Sequence, residues 1–146
     1  MKTHINFHTR DLDKSVAFYS ALLNAKPAKH FPDYALFVTD EPGLELALDL
    51  DARTKAGEGA HYGLVVDQAD AVEAQIERLQ AAKLPADIET EQTCCYAVQN
   101  KVWATDPDGR RWETYYVLEE TDERDGPETS TCCAASEDAA TSSGCC

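Results

Sequence analysis

Long hydrophobic runs are absent from the sequence, and so is an excess of positive charge. No stretch of about 18 apolar residues occurs, so no segment is expected to cross a membrane as a helix. No apolar signal core follows Met1, which predicts a cytoplasmic protein whose thiols stay reduced. The sequence has 13 Lys and Arg residues but 27 Asp and Glu residues, and the net charge of −14 argues against a nucleic acid partner.

Aromatic residues are absent from the last segment, residues 121–146. The segment is acidic and rich in Ser, Thr and Ala, so it cannot bury enough apolar surface to fold. We therefore expect one domain over residues 1–120 and a disordered acidic tail over residues 121–146. The tail holds two adjacent cysteine pairs, which either capture metal as accessory thiols or have no part in catalysis: Cys132, Cys133, Cys145 and Cys146.

The rest of the chain consists of one unit repeated twice. Each half begins with a strand and an amphipathic helix and continues with three extended segments. Equivalent positions at the start of the two halves hold His4 and His61. The predicted elements are strands at 3–9, 28–31, 34–39 and 44–50 with a helix between Asp11 and Asn24, then strands at 61–66, 87–91, 102–105 and 112–118 with a helix at 68–82. This order predicts an α+β fold of two βαβββ modules, about 1–51 and 59–120, whose strands form one curved mixed sheet around a metal cavity.

Strand alternation places three metal-binding side chains on the cavity face. Because Ile5 and Phe7 should face the helices, His4 should face the cavity, and the same alternation puts His61 and Glu113 there. Two imidazoles and one carboxylate form a facial triad that suits Fe(II) and leaves positions open for dioxygen and substrate. Each residue taken singly has an ordinary structural explanation, but the repeat places both histidines at equivalent positions.

Glu45 is a candidate fourth ligand, because it holds in the first half the position that Glu113 holds in the second. Two histidines and two glutamates suit octahedral Ni(II) or Zn(II), and enolisation more than oxygen chemistry. Alternatively, Glu45 is an exposed strand residue that binds no metal. Three further residues are candidate accessory groups near the substrate: His8, Tyr96 and Lys101.

Two adjacent cysteines, Cys94 and Cys95, interrupt the second half. A vicinal thiol pair is a chelator for a thiophilic centre such as As(III), Cd(II) or Zn(II). Six cysteines in a reducing compartment indicate thiolate chemistry more than disulfides. The alternative is that the pair packs as two small buried residues.

These features together resemble a known family. The two modules, the strand-leading histidines and Trp112-Glu113 resemble the vicinal oxygen chelate superfamily, which includes glyoxalase I, extradiol dioxygenases and bleomycin- or fosfomycin-resistance proteins. The resemblance covers about residues 2–118 and narrows to the ArsI/CadI heavy-metal-resistance group. The stretches that carry it are Asp11-Leu12, Phe18-Tyr19-Ser20, Pro27-Ala28-Lys29, Tyr34-Ala35, Thr93-Cys94-Cys95-Tyr96-Ala97, Lys101-Val102-Trp103 and Trp112-Glu113-Thr114-Tyr115.

The resemblance implies an Fe(II)-dependent carbon–arsenic lyase. Such an enzyme uses dioxygen to cleave the C–As bond of trivalent organoarsenicals, including methylarsenite and reduced aromatic arsenicals. Cys94 and Cys95 would bind the soft As(III), and the His4, His61 and Glu113 triad would bind Fe(II). The group also implies a setting of arsenic or cadmium resistance.

The thiol pair sets a condition on the local backbone. Adjacent residues of a regular strand point to opposite faces, so two sulfurs that converge on one arsenic require an irregular segment. We predict a mobile loop from Glu89 to Gln99 that closes over the cavity.

Two other functions stay open at this point. One is a binding protein that sequesters Cd(II) or As(III) through its three cysteine pairs without catalysis. The other is a glyoxalase-type lyase that uses Ni(II) or Zn(II), and it requires Glu45 in the metal shell. Because many superfamily members pair modules between chains, a homodimer is one candidate state.

Overall fold

A computed structural model of the chain describes residues 2–55 and 61–123. The first module comprises β1 (Thr3–Thr9), α1 (Leu12–Leu22), β2 (Lys29–His30), β3 (Tyr34–Thr39) and β4 (Leu44–Leu50). The second comprises β5 (His61–Val65), α2 (Asp70–Ala81), β6 (Ala86–Cys94), β7 (Ala97–Thr105) and β8 (Arg111–Glu120). The predicted order of βαβββ twice is confirmed. The expectations for the tail beyond residue 123, including its four cysteines, lie outside the described residues.

The ends of the first helix follow the sequence signals. Asp11 is the N-cap of α1, and its side chain accepts a hydrogen bond from the backbone N–H of Lys14 at 3.1 Å. Asn24 lies just past the helix with φ of 48°, a conformation that asparagine tolerates better than most residues. No helix among residues 2–55 and 61–123 is long and apolar enough to span a membrane.

The strands form two four-stranded mixed sheets, one per module. The orders are β1-β4-β3-β2 and β5-β8-β7-β6, and the first pair in each is parallel. The α+β class and the two modules agree with the prediction, whereas the one continuous curved sheet is replaced by two separate sheets. Each parallel pair brings the leading strand of a module beside its last strand, so Glu45 pairs in register with His4, and Glu113 with Gly63.

An aromatic cluster joins the two modules. Phe7 on β1 lies 5.1 Å from Tyr62 on β5 and 6.4 Å from Trp112 on β8, measured between ring centroids. Tyr19 of α1 lies 5.9 Å from Trp112 in an edge-to-face arrangement. The cluster confirms that Phe7 faces the core, so the histidines that alternate with it on β1 lie on the opposite face of the sheet.

A buried polar network fixes the β7–β8 turn against the first module. The turn closes through a hydrogen bond from the Gly109 N–H to the Asp106 carbonyl at 3.0 Å, as Asp-Pro-Asp-Gly predicts. The Asp106 carboxylate accepts hydrogen bonds from the Tyr19 hydroxyl at 2.7 Å and from the Arg110 guanidinium at 2.9 Å. Arg110 also donates to the carbonyl of His8 at 2.6 Å. The two modules are therefore joined by polar contacts as well as by apolar packing.

Candidate metal centre and thiol pair

His61 and Glu113 meet on the exposed face of the second sheet. The parallel pairing of β5 with β8 places the His61 Nε2 atom 3.5 Å from Glu113 Oε1. The other carboxylate oxygen, Oε2, lies 3.2 Å from the ammonium Nζ of Lys101 on β7. The Glu113 side chain is 12% exposed and that of Lys101 only 2%, so this ion pair is shielded from water. Two of the three predicted triad members are thus adjacent, and the accessory candidate Lys101 is buried beside them.

Aromatic rings surround this group. The Lys101 ammonium lies 5.6 Å from the centroid of Trp103 and 5.9 Å from that of Tyr115. Burial raises the pKa of Tyr115, the charge of Glu113 raises it further, Lys101 opposes this, and Cys95 adds a smaller rise.

Gly63 is a residue of the site that the sequence interpretation did not single out. A Cβ atom at this position would lie 3.2 Å from Tyr115 Cε1 and 3.4 Å from Glu113 Oε1. The missing side chain therefore leaves room for the carboxylate and the tyrosine ring. A glycine inside a strand pattern is the sequence signal for such a close approach.

The first module carries a similar pair on its own exposed face. His4 Nδ1 lies 3.6 Å from Glu45 Oε2, which places the candidate fourth ligand beside the first. The accessory candidate His8 lies further along the strand, with its Nδ1 atom 3.7 Å from Asp51 Oδ2. Arg53 is the main cause that lowers the pKa of Asp51 to about 2, and His8 contributes less.

The two pairs lie apart within one chain. Across residues 2–55 and 61–123, no three His, Cys, Asp or Glu side chains lie close enough together to hold a metal ion. The donors nevertheless fit a divalent metal in kind, because the Nε2 atom of the half-exposed His61 and one carboxylate oxygen of Glu113 face each other at 3.5 Å. The complete set of His4, His61 and Glu113 stays a prediction.

The cysteine pair forms the tip of the β6–β7 hairpin. Cys94 pairs with Ala97 in the ladder, and the two residues between them, Cys95 and Tyr96, have φ of 55° and 67°. Two consecutive positive φ values are typical of a type I′ turn. The turn brings the two Sγ atoms to 3.4 Å from each other, a distance too long for a disulfide bond. Cys94 is buried and Cys95 exposed.

The predicted loop from Glu89 to Gln99 is wrong. The segment continues as strand through Cys94 and resumes as strand at Ala97, with a register shift between Glu89 and Gln92. Its polar residues resemble a loop because β6 is an edge strand that pairs only with β7 in this sheet. The condition that motivated the loop is still met, since the tight turn makes the sulfurs converge.

Comparisons with known proteins agree with this architecture. The family described as the Glyoxalase/Bleomycin resistance protein/Dioxygenase superfamily matches residues 3–114. The trivalent organoarsenical cleaving enzyme of Bacillus sp. (strain MD1) is 37% identical over 131 residues, covering 89% of this chain and 81% of that protein. The cadmium-induced protein CadI of Mycobacterium tuberculosis (strain ATCC 25618 / H37Rv) is 39% identical over 142 residues, covering 90% and 92%.

Among solved structures, a glyoxalase/bleomycin resistance protein/dioxygenase from Alicyclobacillus acidocaldarius superposes with a TM-score of 0.66. It is 20% identical and covers 82% of this chain and 92% of its own, so it supports the fold alone. The match of the family over both modules is the stronger finding. The chain belongs to the glyoxalase/bleomycin resistance protein/dioxygenase superfamily.

Proposed function

We propose that the protein is an Fe(II)- and dioxygen-dependent carbon–arsenic lyase that acts on trivalent organoarsenicals. The observation that carries this proposal is the convergence of the Cys94 and Cys95 sulfurs at 3.4 Å on the module that also holds His61 and Glu113. Relatives at 35–39% identity that are named trivalent organoarsenical cleaving enzymes support the same substrate class.

The thiol pair binds the substrate. Each As–OH group of a trivalent arsenical exchanges with one cysteine thiol, forming an As–S bond and releasing water. Two sulfurs that already lie 3.4 Å apart need little rearrangement to bind the same arsenic atom. Exposure of Cys95 gives the arsenical an entry point, and the exposed ring of Tyr96 lies beside it on the turn. Binding through both thiols leaves the As–C bond directed away from the turn and fixes its position.

The metal centre consists of His4, His61 and Glu113. Fe(II), when bound by such a triad, would bind and activate dioxygen. Within this chain, Lys101 holds the Glu113 carboxylate at 3.2 Å, and the buried ring of Trp103 lies 5.3 Å from the His61 imidazole, measured between ring centroids.

A second copy of the chain completes the centre. His4 and His61 have side chains 58% and 48% exposed, and each faces away from the shared core with one carboxylate beside it. Facing the first module of one copy with the second module of another brings His4 to His61 and Glu113. Val65, 62% exposed on the same face of β5 as His61, supplies apolar surface for this contact.

Mixing two inactive variants tests this assembly. H4A and E113A should each lack activity as homodimers. A mixed dimer contains one intact set of ligands, so mixing should restore arsenite release. Absence of restoration in verified mixed dimers would place the complete centre within one chain.

The overall reaction balances without an external reductant for methylarsenite. CH3As(OH)2 and O2 give formaldehyde and As(OH)3, because the carbon loses as many electrons as dioxygen gains. The test loads the full chain with Fe(II) without oxygen, adds methylarsenite and then admits oxygen. We expect arsenite and formaldehyde in equal amounts, over many turnovers and only after oxygen is admitted.

Sequestration without catalysis is the second candidate. The 39% identity to proteins named cadmium-induced protein CadI favours it, because induction by cadmium is compatible with simple metal binding. It predicts that Cd(II) or As(III) binds in fixed ratio to the cysteines and that no arsenite is released from methylarsenite. Removing the four tail cysteines should then abolish most of the metal capacity, whereas the lyase should keep its turnover.

A glyoxalase-type lyase that uses Ni(II) or Zn(II) is a third candidate function, because Glu45 lies beside His4. E45Q separates the two. A fourth ligand should be needed for metal binding, whereas an Fe(II) triad should keep its metal and its oxygen-dependent activity.

A further inference from the structure

We propose that Lys101 is a positioning residue that holds one oxygen of Glu113 and so restricts this carboxylate to a single bond with the metal. The inference rests on the proposed metal centre. It adds that Lys101 determines how many coordination positions of the metal stay open. Its side chain acts through Glu113 and has no need to touch the metal or the substrate.

The two oxygens of Glu113 have different neighbours. Oε1 faces His61 Nε2 at 3.5 Å, and Oε2 faces Lys101 Nζ at 3.2 Å. His61 Nε2 and Glu113 Oε1 are therefore the two atoms that would hold a metal ion here. For both oxygens to bind the same metal, the carboxylate would have to rotate and Oε2 would have to leave the ammonium.

Lys101 is held where it can prevent that rotation. Its side chain is 2% exposed and lies against the rings of Trp103 and Tyr115. On the antiparallel ladder, Lys101 pairs with Tyr115 and Trp103 pairs with Glu113, so the lysine and the carboxylate are diagonal neighbours on one face. Its contact with Oε2 joins two opposite charges that are shielded from water, and such a charge-assisted hydrogen bond is among the stronger ones in proteins. Release of Oε2 is correspondingly unfavourable.

Gly63 favours the same arrangement from the other side. The bare backbone leaves Oε1 uncovered, since a Cβ there would lie 3.4 Å from this oxygen. The carboxylate thus presents one oxygen to the exposed face and keeps the other against the lysine.

Single-oxygen ligation matters for the reaction. Two imidazoles and one carboxylate oxygen leave half of an octahedral coordination shell open for dioxygen and substrate. A carboxylate that bound through both oxygens would occupy one of these positions. Lys101 thereby keeps a position open that the proposed chemistry requires.

Infrared difference spectra of the full chain with and without Co²⁺ test the inference. The separation between the asymmetric and symmetric carboxylate stretches is larger when one oxygen binds the metal than when both do. We expect a large separation in the wild type, a small one in K101M, and a large one again in K101R, which retains a cationic donor. E113Q assigns the bands, because its spectrum should lack them. Circular dichroism and thermal unfolding establish that each variant is folded.

Three outcomes overturn the inference: the same separation in wild type and K101M, a small separation in the wild type, or Co²⁺-dependent bands that persist in E113Q. Arsenite release by the wild type is measured separately. No arsenite release together with the expected spectra would refute the lyase function and leave the role of Lys101 intact. Arsenite release together with the same stretch separation in K101M as in the wild type would refute the role of Lys101 and leave the lyase function intact.

Discussion

Replacing Asp106 with alanine should destabilise the domain by about 3 to 5 kcal/mol, the usual cost of removing one partner from a buried ion pair. The Asp106 side chain is fully buried, and its carboxylate accepts four hydrogen bonds. The donors are the Tyr19 hydroxyl, the Arg110 guanidinium, and the backbone N–H groups of Asp108 and Arg110. Burial, followed by the charge of Asp106, raises the pKa of Tyr19 far above its usual range, so its hydroxyl stays a donor at every working pH.

The magnitude follows from what alanine leaves behind. The guanidinium of Arg110 loses its carboxylate at 2.9 Å, and the Tyr19 hydroxyl loses its acceptor inside the core. For a domain of this size, the loss corresponds to a fall in Tm of about 10 to 20 °C. D106N should cost less, because its amide oxygen still accepts part of these hydrogen bonds.

Guanidinium unfolding followed by tryptophan fluorescence measures the effect, since Trp103 and Trp112 are both buried. D87A is the matched control, because Asp87 is exposed on β6, and its change should stay within about 0.5 kcal/mol. The double variant D106A/R110M should lose less than the sum of the two single variants. A loss in D106A no larger than that in D87A would refute the claim that this network joins the modules.

Three further predictions concern the Cys95-Tyr96 turn, the close approach at Gly63 and the polar network at the β7–β8 turn. Y96G should raise the free energy of unfolding by about 1 kcal/mol in chemical denaturation, because Tyr96 holds a positive φ that glycine adopts without strain. G63A should lower Co²⁺ affinity on the order of tenfold by titration, since the new methyl presses on Tyr115 and Glu113. An unchanged affinity would show that the space at Gly63 is not needed to position the Glu113 carboxylate. Burial alone would raise the pKa of Asp108, but hydrogen bonds from Thr9 and Arg10 and the charge of Arg110 outweigh it and hold the pKa below its usual range. The stabilisation by Asp108 is therefore full above the unfolded-state pKa of about 3.9 and is lost as pH falls below it, so the stability gap between wild type and D108N should narrow in acid.

Local periodicity accounts for the part of the fold that the sequence predicts well. The alternation of Ile5 and Phe7 with His4 fixes which face of β1 is buried, and the equivalent position of His61 reveals the repeat. The strands at Tyr34–Thr39 and Leu44–Leu50 lie where the turn residues between them place them. Such features depend on residues close together in the chain.

Features that depend on distant partners were harder to predict. Lysine side chains are usually solvated, whereas Lys101 is buried beside Glu113 and Tyr115, which another strand supplies. The polar stretch before Cys94 forms a strand because β7 pairs with it. The separation into two sheets likewise depends on how the modules pack, and strand periodicity carries no information about that packing.

The proposed lyase function requires that Cys94 and Cys95 hold the organoarsenical while an iron centre of the protein acts on it. Oxygen-dependent arsenite release from methylarsenite by the Fe(II)-loaded full chain, compared among wild type, C94S and C95S, tests it most directly. We expect many turnovers for the wild type and none above background for either variant, with Tm values close to that of the wild type. Full activity in both variants, or no more than one arsenite released per wild-type chain, would contradict it.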